Sequence, residues 1–209
     1  MSLRLALFAS GGGTNALNLL EVAKDLPELE IALVIVDQAT SPLLKILSEK
    51  FPKLTVKLIS MPTGNDVKTR KQAHEKLILD ELKEHRIDWI FLAGYMRMVG
   101  PTLLAEYSSQ GKSHIVNIHP SLLPAYPGLH AYERAFAAND QKSGVTIHLV
   151  DSGMDTGTIL VQESFERLPN DTLQNFMDRG KALEWRLYGD ILKTLARTKT
   201  LEPKSLRTS

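Results

Sequence analysis

The chain of 209 residues has no cysteine. That excludes disulfides, thiolate nucleophiles and zinc held by thiolates, and leaves histidine and carboxylates as the only side chains for a metal. Long apolar runs are missing too. The stretch from Leu3 to Ser10 resembles a signal peptide only superficially and is too short to span a bilayer. Neither charge sign dominates: 25 Lys plus Arg stand against 24 Asp plus Glu, a net charge of +1. Nothing global therefore draws the protein to nucleic acid or a membrane surface. No P-loop G-x-x-x-x-G-K-[ST], no nucleophile elbow G-x-S-x-G, no repeat and no low-complexity segment occurs. What remains is a soluble, cytoplasmic protein acting on small molecules, as a monomer or homodimer.

The length suits one domain, able to bury roughly 70% of the surface its unfolded chain exposes. Apolar runs of strand length lie at 4–9, 30–36, 54–59, 88–93, 114–118, 145–150 and 158–163. Several are continuous rather than alternating, as in strands covered on both faces. Helical periodicity marks 14–25, 41–50, 66–85, 101–108, 129–138 and 171–196, with Pro42 and Pro101 at helix starts. Alternation of this kind predicts an α/β fold: a three-layer, doubly wound, mostly parallel sheet with helices on both faces and a Rossmann-like N-terminal half. Residues 1–196 are read as a single domain and 197–209 as a polar, loosely held tail.

The segment SGGGTNA at 10–16 ends the first strand and opens the first helix. Glycines let backbone N–H groups approach an anion, and a helix N-terminus adds about half a positive charge. Thr14 and Asn15 add side-chain donors suited to a terminal phosphate. Gly11, Gly13 and Ala16 also fit G-x-G-x-x-G/A, with Asp37 about twenty residues on, so an NAD site is a competing reading.

A second segment, NIHPSLLPAYPG at 117–128, places Asn117 and His119 on one face of a strand, because side chains alternate with period two. At the strand's C-terminal end they would face the ligand crevice of an open α/β sheet. An amide can donate to an oxyanion without titrating. An imidazole carries charge near neutrality, with an ordinary pKa of about 6.5. Pro120, Pro124 and Pro127 restrict the loop behind them. Together these residues suggest acyl transfer without a protein nucleophile.

With FASGGGTN before it, LAGYMRMV between, and GVTIHLVDSGMDTGTIL after it, NIHPSLLPAYPGLHAYERAF resembles the glycinamide ribonucleotide formyltransferase family, from Leu5 to about Tyr188. The resemblance implies formyl transfer from 10-formyltetrahydrofolate to the amine of glycinamide ribonucleotide, in purine biosynthesis, with no metal. It implies a catalytic trio of Asn117, His119 and Asp155. It implies a phosphate site at Gly11, Gly12, Gly13, Thr14 and Asn15, with Met96 facing the ribonucleotide and Glu184 on the ribose hydroxyls. It implies folate contacts from Tyr95, Arg97 and Val99, from Arg70 near the glutamyl carboxylates, and from the loop 150–155 with Val150, Asp151 and Asp155. His130 and His148 are expected as pocket neighbours. Two positions depart from the family's pattern: Gly12, where many members have a polar side chain, and Ala125, where a larger residue is usual. The implied mechanism is direct transfer, with Asn117 and a protonated His119 stabilising the tetrahedral oxyanion.

Competing assignments are a Ser121–His119–Asp155 hydrolase, a His119–His148–Asp155 metal site, a formyltetrahydrofolate deformylase and a methionyl-tRNA formyltransferase. The last two are expected to carry an additional domain, before or after the catalytic part. His74, His85 and His114 are expected at the surface or in loops, Trp89 and Phe91 in the core, and Trp185 beneath Glu184.

Overall fold

The computed structural model describes residues 2–109 and 111–203. Seven strands form a mostly parallel sheet in the order β3-β2-β1-β4-β7-β8-β9, the α/β class that the alternating sequence predicts. The chain divides into two compact units, one ending at Val116 and one beginning at Asn117.

In the first unit, β1 (Leu3–Ala9) pairs in parallel with β2 (Leu29–Val36) and with β4 (Trp89–Leu92), and β2 pairs in parallel with β3 (Val56–Leu58). Every residue from Leu5 to Ala9 is fully buried, so both faces of β1 are covered, as its unbroken apolar run requires. The helices are α1 (Thr14–Ala23), α2 (Leu43–Lys50), α3 (Val67–Glu84) and α4 (Pro101–Glu106). Asp66 caps α3 by accepting from the N–H groups of Lys68 and Thr69. Helix α4 has Gly100 at its N-cap, and Glu75 on α3 supplies the missing acceptor, its Oε1 2.7 Å from the Leu103 nitrogen. A short antiparallel ladder of β5 (Ser108–Ser109) and β6 (Lys112–Ser113) follows, which no sequence pattern announced.

Strand β7 (Ile115–His119) carries the chain from the first unit into the second. There β8 (Lys142–Leu149) and β9 (Ile159–Glu166) pair antiparallel. Helices α5 (Ala131–Ala137) and α6 (Leu173–Thr198) complete the unit, around a cluster of Tyr132, Ala135 and Phe176. Thr172 caps α6 through its side-chain oxygen, which accepts from the Asn175 nitrogen. Of the residues expected as a tail, 197 and 198 continue α6 and Leu201 is buried; 204–209 lie outside the described residues.

One expectation about a single residue is corrected. His74 is buried, its Nε2 2.9 Å from the Ile59 carbonyl, and is no surface residue. His114 lies in the bend between β6 and β7, as expected of a loop residue, and its ring stacks on Trp89 with centroids 4.5 Å apart. Trp185 is 40% exposed.

Candidate functional site

The first unit holds a glycine turn between β1 and α1. Gly13 is the N-cap of α1 with φ of 67°, a left-handed conformation, and brings no side-chain cap. The Leu43 side chain occupies the space that a Cβ at Gly13 would need. The turn is therefore fixed on both counts to glycine. Two hydroxyls hold it: Ser41 Oγ donates to the Gly11 carbonyl at 2.6 Å, and Ser10 Oγ accepts from the Met96 nitrogen at 2.9 Å. Gly11 and Gly12 have open space where a side chain would stand. Ser10 thus ties the turn directly to the LAGYMRMVG loop after β4.

In that loop, Tyr95 packs edge-on against Phe8, with centroids 5.3 Å apart. Arg97 donates from Nε to Asp37 Oδ2, and the Asp37 side chain is 1% exposed. A carboxylate that is sealed and ion-paired in this way is not presented to a ribose, so Asp37 does not play the part that an NAD site would give it. Met96 stands exposed and Val99 half-buried. Arg70, on α3, donates from Nε to the Pro62 carbonyl at 2.6 Å, which anchors the segment before α3.

The second unit contains the Asn-x-His strand end. His119 is 5% exposed, and its Nε2 lies 2.8 Å from the Tyr126 carbonyl. A carbonyl can only accept, so Nε2 carries a proton. Nδ1 lies 3.4 Å from Asp155 Oδ2. Asn117 Nδ2 lies 3.1 Å from His148 Nε2 and 3.4 Å from Asp155 Oδ1. The Gly128 N–H donates to Asp155 Oδ2 at 2.8 Å. Asn117, His119, Asp155 and His148 thus form one polar cluster.

Burial lowers the His119 pKa below 6.5, and this outweighs the Tyr126 carbonyl and the Asp155 carboxylate, which raise it. That direction favours the neutral ring in the free protein at neutral pH. For Asp155, burial pushes the pKa upward, but hydrogen bonding, the Gly128 N–H included, brings it below the ordinary carboxylate value. The carboxylate is charged, and a neutral Nδ1 beside it is ready to take a proton.

Side-chain hydrogen bonds also hold the proline loop. Ser121 Oγ donates to the Ala125 carbonyl at 2.5 Å, and Thr146 Oγ1 donates to the Ser121 carbonyl at 2.7 Å. Gln162 Nε2 donates to the Leu123 carbonyl at 2.9 Å, and Tyr126 Oη donates to Asp140 at 2.7 Å. Ser121 is 1% exposed and its hydroxyl is committed, which removes it as a nucleophile. Tyr126, His130 and Asp155 all adopt positive φ, of 53°, 59° and 56°. Such backbone strain, about 1–3 kcal/mol per residue, persists only where surrounding contacts impose it, and it concentrates at functional sites.

Sequence reasoning undervalued His148 and missed Thr146. Both lie on β8 with spacing two, the same periodicity that singled out Asn117 and His119 on β7. Val150 and Asp151 begin the loop that ends at Asp155, and Asp151 Oδ1 orders it by accepting from Gly153 N at 3.0 Å and Thr156 Oγ1 at 2.8 Å. His130 is exposed, with Nδ1 3.4 Å from Glu133. Glu184, on α6, accepts from the Tyr132 hydroxyl at 2.9 Å.

Residues 3–192 match the family described as formyl transferase. The chain is 36% identical over 193 residues to the phosphoribosylglycinamide formyltransferase of Bacillus subtilis, covering 92% of this chain and 94% of that protein. It is 34% identical over 187 residues, 87% of its length, to the trifunctional purine biosynthetic protein adenosine-3 of Drosophila melanogaster, of which it spans 13%. Among solved structures, phosphoribosylglycinamide formyltransferase from Bacillus halodurans superposes with a TM-score of 0.83 at 42% identity, covering 99% of this chain and 100% of that one.

Proposed function

The chain belongs to the formyl transferase family, and from that premise we propose that it transfers a formyl group from 10-formyltetrahydrofolate to the amine of glycinamide ribonucleotide. The observation that carries the assignment is the cluster of Asn117, His119 and Asp155, with Nδ1 of a buried ring 3.4 Å from a charged carboxylate. The names of its relatives and the match over most of the chain support the same activity. Small-molecule substrates and a cytoplasmic location go with it. Helices among the described residues are not long and apolar enough to cross a membrane.

In the proposed reaction the amine lone pair attacks the formyl carbon, a new C–N bond forms, and the carbonyl electrons move to oxygen. Asn117 turns its amide N–H toward that oxygen; one such preorganised donor is worth about 3–4 kcal/mol of transition-state stabilisation. The attacking nitrogen, now positive, loses a proton to Nδ1 of His119. The imidazolium that results lies between the Tyr126 carbonyl and Asp155, both already in place to stabilise it. The same proton passes to the departing N10 nitrogen, the old C–N bond breaks, and the carbonyl re-forms. Products are formylglycinamide ribonucleotide and tetrahydrofolate. Every proton is accounted for with His119 as the carrier, and no covalent enzyme intermediate arises.

The glycine turn of Gly11, Gly12, Gly13, Thr14 and Asn15 is proposed to hold the substrate's phosphate, with Met96 against the ribonucleotide and Glu184 on its ribose. Tyr95, Arg97, Val99, Arg70, Val150 and Asp151 are proposed for the folate. In a spectroscopic assay, tetrahydrofolate should accumulate from 10-formyltetrahydrofolate only when glycinamide ribonucleotide is present. Formate released without the ribonucleotide would instead assign a hydrolase.

A further inference from the structure

Glu184 projects from α6 beside an aromatic side chain that the proposed chemistry does not use. Tyr132 is buried on α5, 52 residues earlier, and its hydroxyl donates to Glu184 Oε1 at 2.9 Å. The ring is held edge-on by Phe165 and Phe176, each with centroids 6.2 Å away. Gly180 lies four residues before Glu184, on the same face of α6, and a Cβ there would overlap the Tyr132 ring and its hydroxyl. Glycine inside a helix weakens it, so this position trades helix propensity for room to seat a tyrosine against the turn that carries Glu184. Burial, the neighbouring carboxylate and the hydrogen bond all push the phenol pKa upward, so the hydroxyl stays a donor at any pH the protein experiences.

A phenylalanine would fill the same core space. What the hydroxyl adds is a hydrogen bond to one carboxylate oxygen, which constrains how Glu184 is oriented. A carboxylate reads two adjacent hydroxyls only when its plane is aimed at them. We propose that Tyr132, seated by Gly180, is a positioning residue that aims Glu184 at the vicinal hydroxyls of the ribonucleotide and so sets the enzyme's preference for ribose over 2′-deoxyribose. This rests on the reading of Glu184 as the ribose contact.

The test compares Tyr132→Phe and Glu184→Gln with the unaltered protein, using glycinamide ribonucleotide, its 2′-deoxy analogue and 10-formyltetrahydrofolate, each varied in turn. Loss of one aiming hydrogen bond should raise KM for the ribonucleotide roughly three- to tenfold in Tyr132→Phe. The ribose preference should fall by a similar factor, while kcat and the folate KM stay within about twofold. Glu184→Gln should lose more of both. Thermal melts establish that the phenylalanine variant is folded, since its ring and packing are retained. Should Tyr132→Phe leave ribonucleotide KM and sugar preference unchanged while Glu184→Gln alters both, Tyr132 is packing alone and the proposal is overturned. If Glu184→Gln itself changes neither, the ribose assignment of Glu184 fails, and the role of Tyr132 fails with it.

Discussion

Asn117 and His148 share a hydrogen bond whose direction is set from outside the pair. His148 is 2% exposed, and its Nδ1 lies 3.1 Å from the Leu149 carbonyl, which can only accept. The ring proton therefore sits on Nδ1, and Nε2 offers a lone pair to the Asn117 amide 3.1 Å away. A backbone carbonyl on β8 thereby orients the amide on β7.

Replacing Asn117 with alanine removes the donor itself and should lower kcat by about 10²–10³-fold, the range seen for single oxyanion donors. His148→Leu keeps the donor but removes what aims it, so a smaller loss of roughly tenfold is expected, together with about 1–3 kcal/mol of stability from an unsatisfied buried group. His148→Gln can restore an acceptor and should fall between the leucine variant and the natural protein. Saturating kinetics and urea titrations measure both effects. Equal kcat in His148→Leu and the unaltered protein would show that Asn117 needs no aiming.

The pH dependence follows from burial of His119. The group that takes the proton must be neutral, and its pKa lies below 6.5 in the folded protein. The rate constant kcat/KM should be level above pH 6.5 and fall as pH drops through that lowered value. Stability moves the same way, because an unfolded chain binds this proton more readily than the folded one: the contribution is complete above 6.5 and disappears as pH falls through the folded pKa. Asp155→Asn removes a charge that raises the ring's pKa, so the acid limb should shift to still lower pH as the plateau drops. An unmoved limb in that variant would mean that the carboxylate does not act on the ring.

Much of the fold could be read from continuous apolar runs, since β1, β2 and β4 are buried on both faces and show no alternation to misread. Antiparallel β8 starts at Lys142, three residues before its apolar run, and at Gly144 it packs against the Glu163 backbone and Leu122 where a larger residue could not. Asn117 and His119 were legible through their spacing at a strand end. Asp155 was not, since it lies 36 residues beyond His119 in an irregular loop at positive φ, and only family resemblance pointed to it. His74 was hidden for a different reason: the mixed charges of α3 mask its narrow buried face, which also holds Glu75, Ile78, Leu79 and Leu82. The link between Tyr132 and Glu184 depends on a contact that sequence spacing does not encode.

The phosphate turn predicts a stability defect that also weakens ligand binding. In Gly13→Ala, the new Cβ meets both a left-handed φ and the Leu43 side chain. Together these should cost about 2 kcal/mol or more. Since the backbone must shift where it would hold phosphate, the ribonucleotide KM should rise while the folate KM changes little. Gly12→Ala provides the comparison, having open space and no positive φ. It should melt within a degree or two of the natural protein.

Glu75 makes a prediction of the opposite kind, a loss of stability without a loss of chemistry. Its carboxylate is buried and accepts from the Leu103 N–H, taking the place of a side-chain cap that Gly100 cannot provide. Gly100 is required in turn, because a Cβ there would collide with that same carboxylate. Glu75→Ala should therefore cost about 1–2 kcal/mol, the range for a lost N-cap. Glu75→Gln, which keeps an acceptor oxygen, should cost less. Gly100→Ala should destabilise the protein when Glu75 is present and do so less in the Glu75→Ala background, where the space has been cleared. A double-mutant cycle in urea tests the coupling; strict additivity would mean that the carboxylate and the glycine are not paired as the structure shows, whereas kcat is expected to remain near normal throughout.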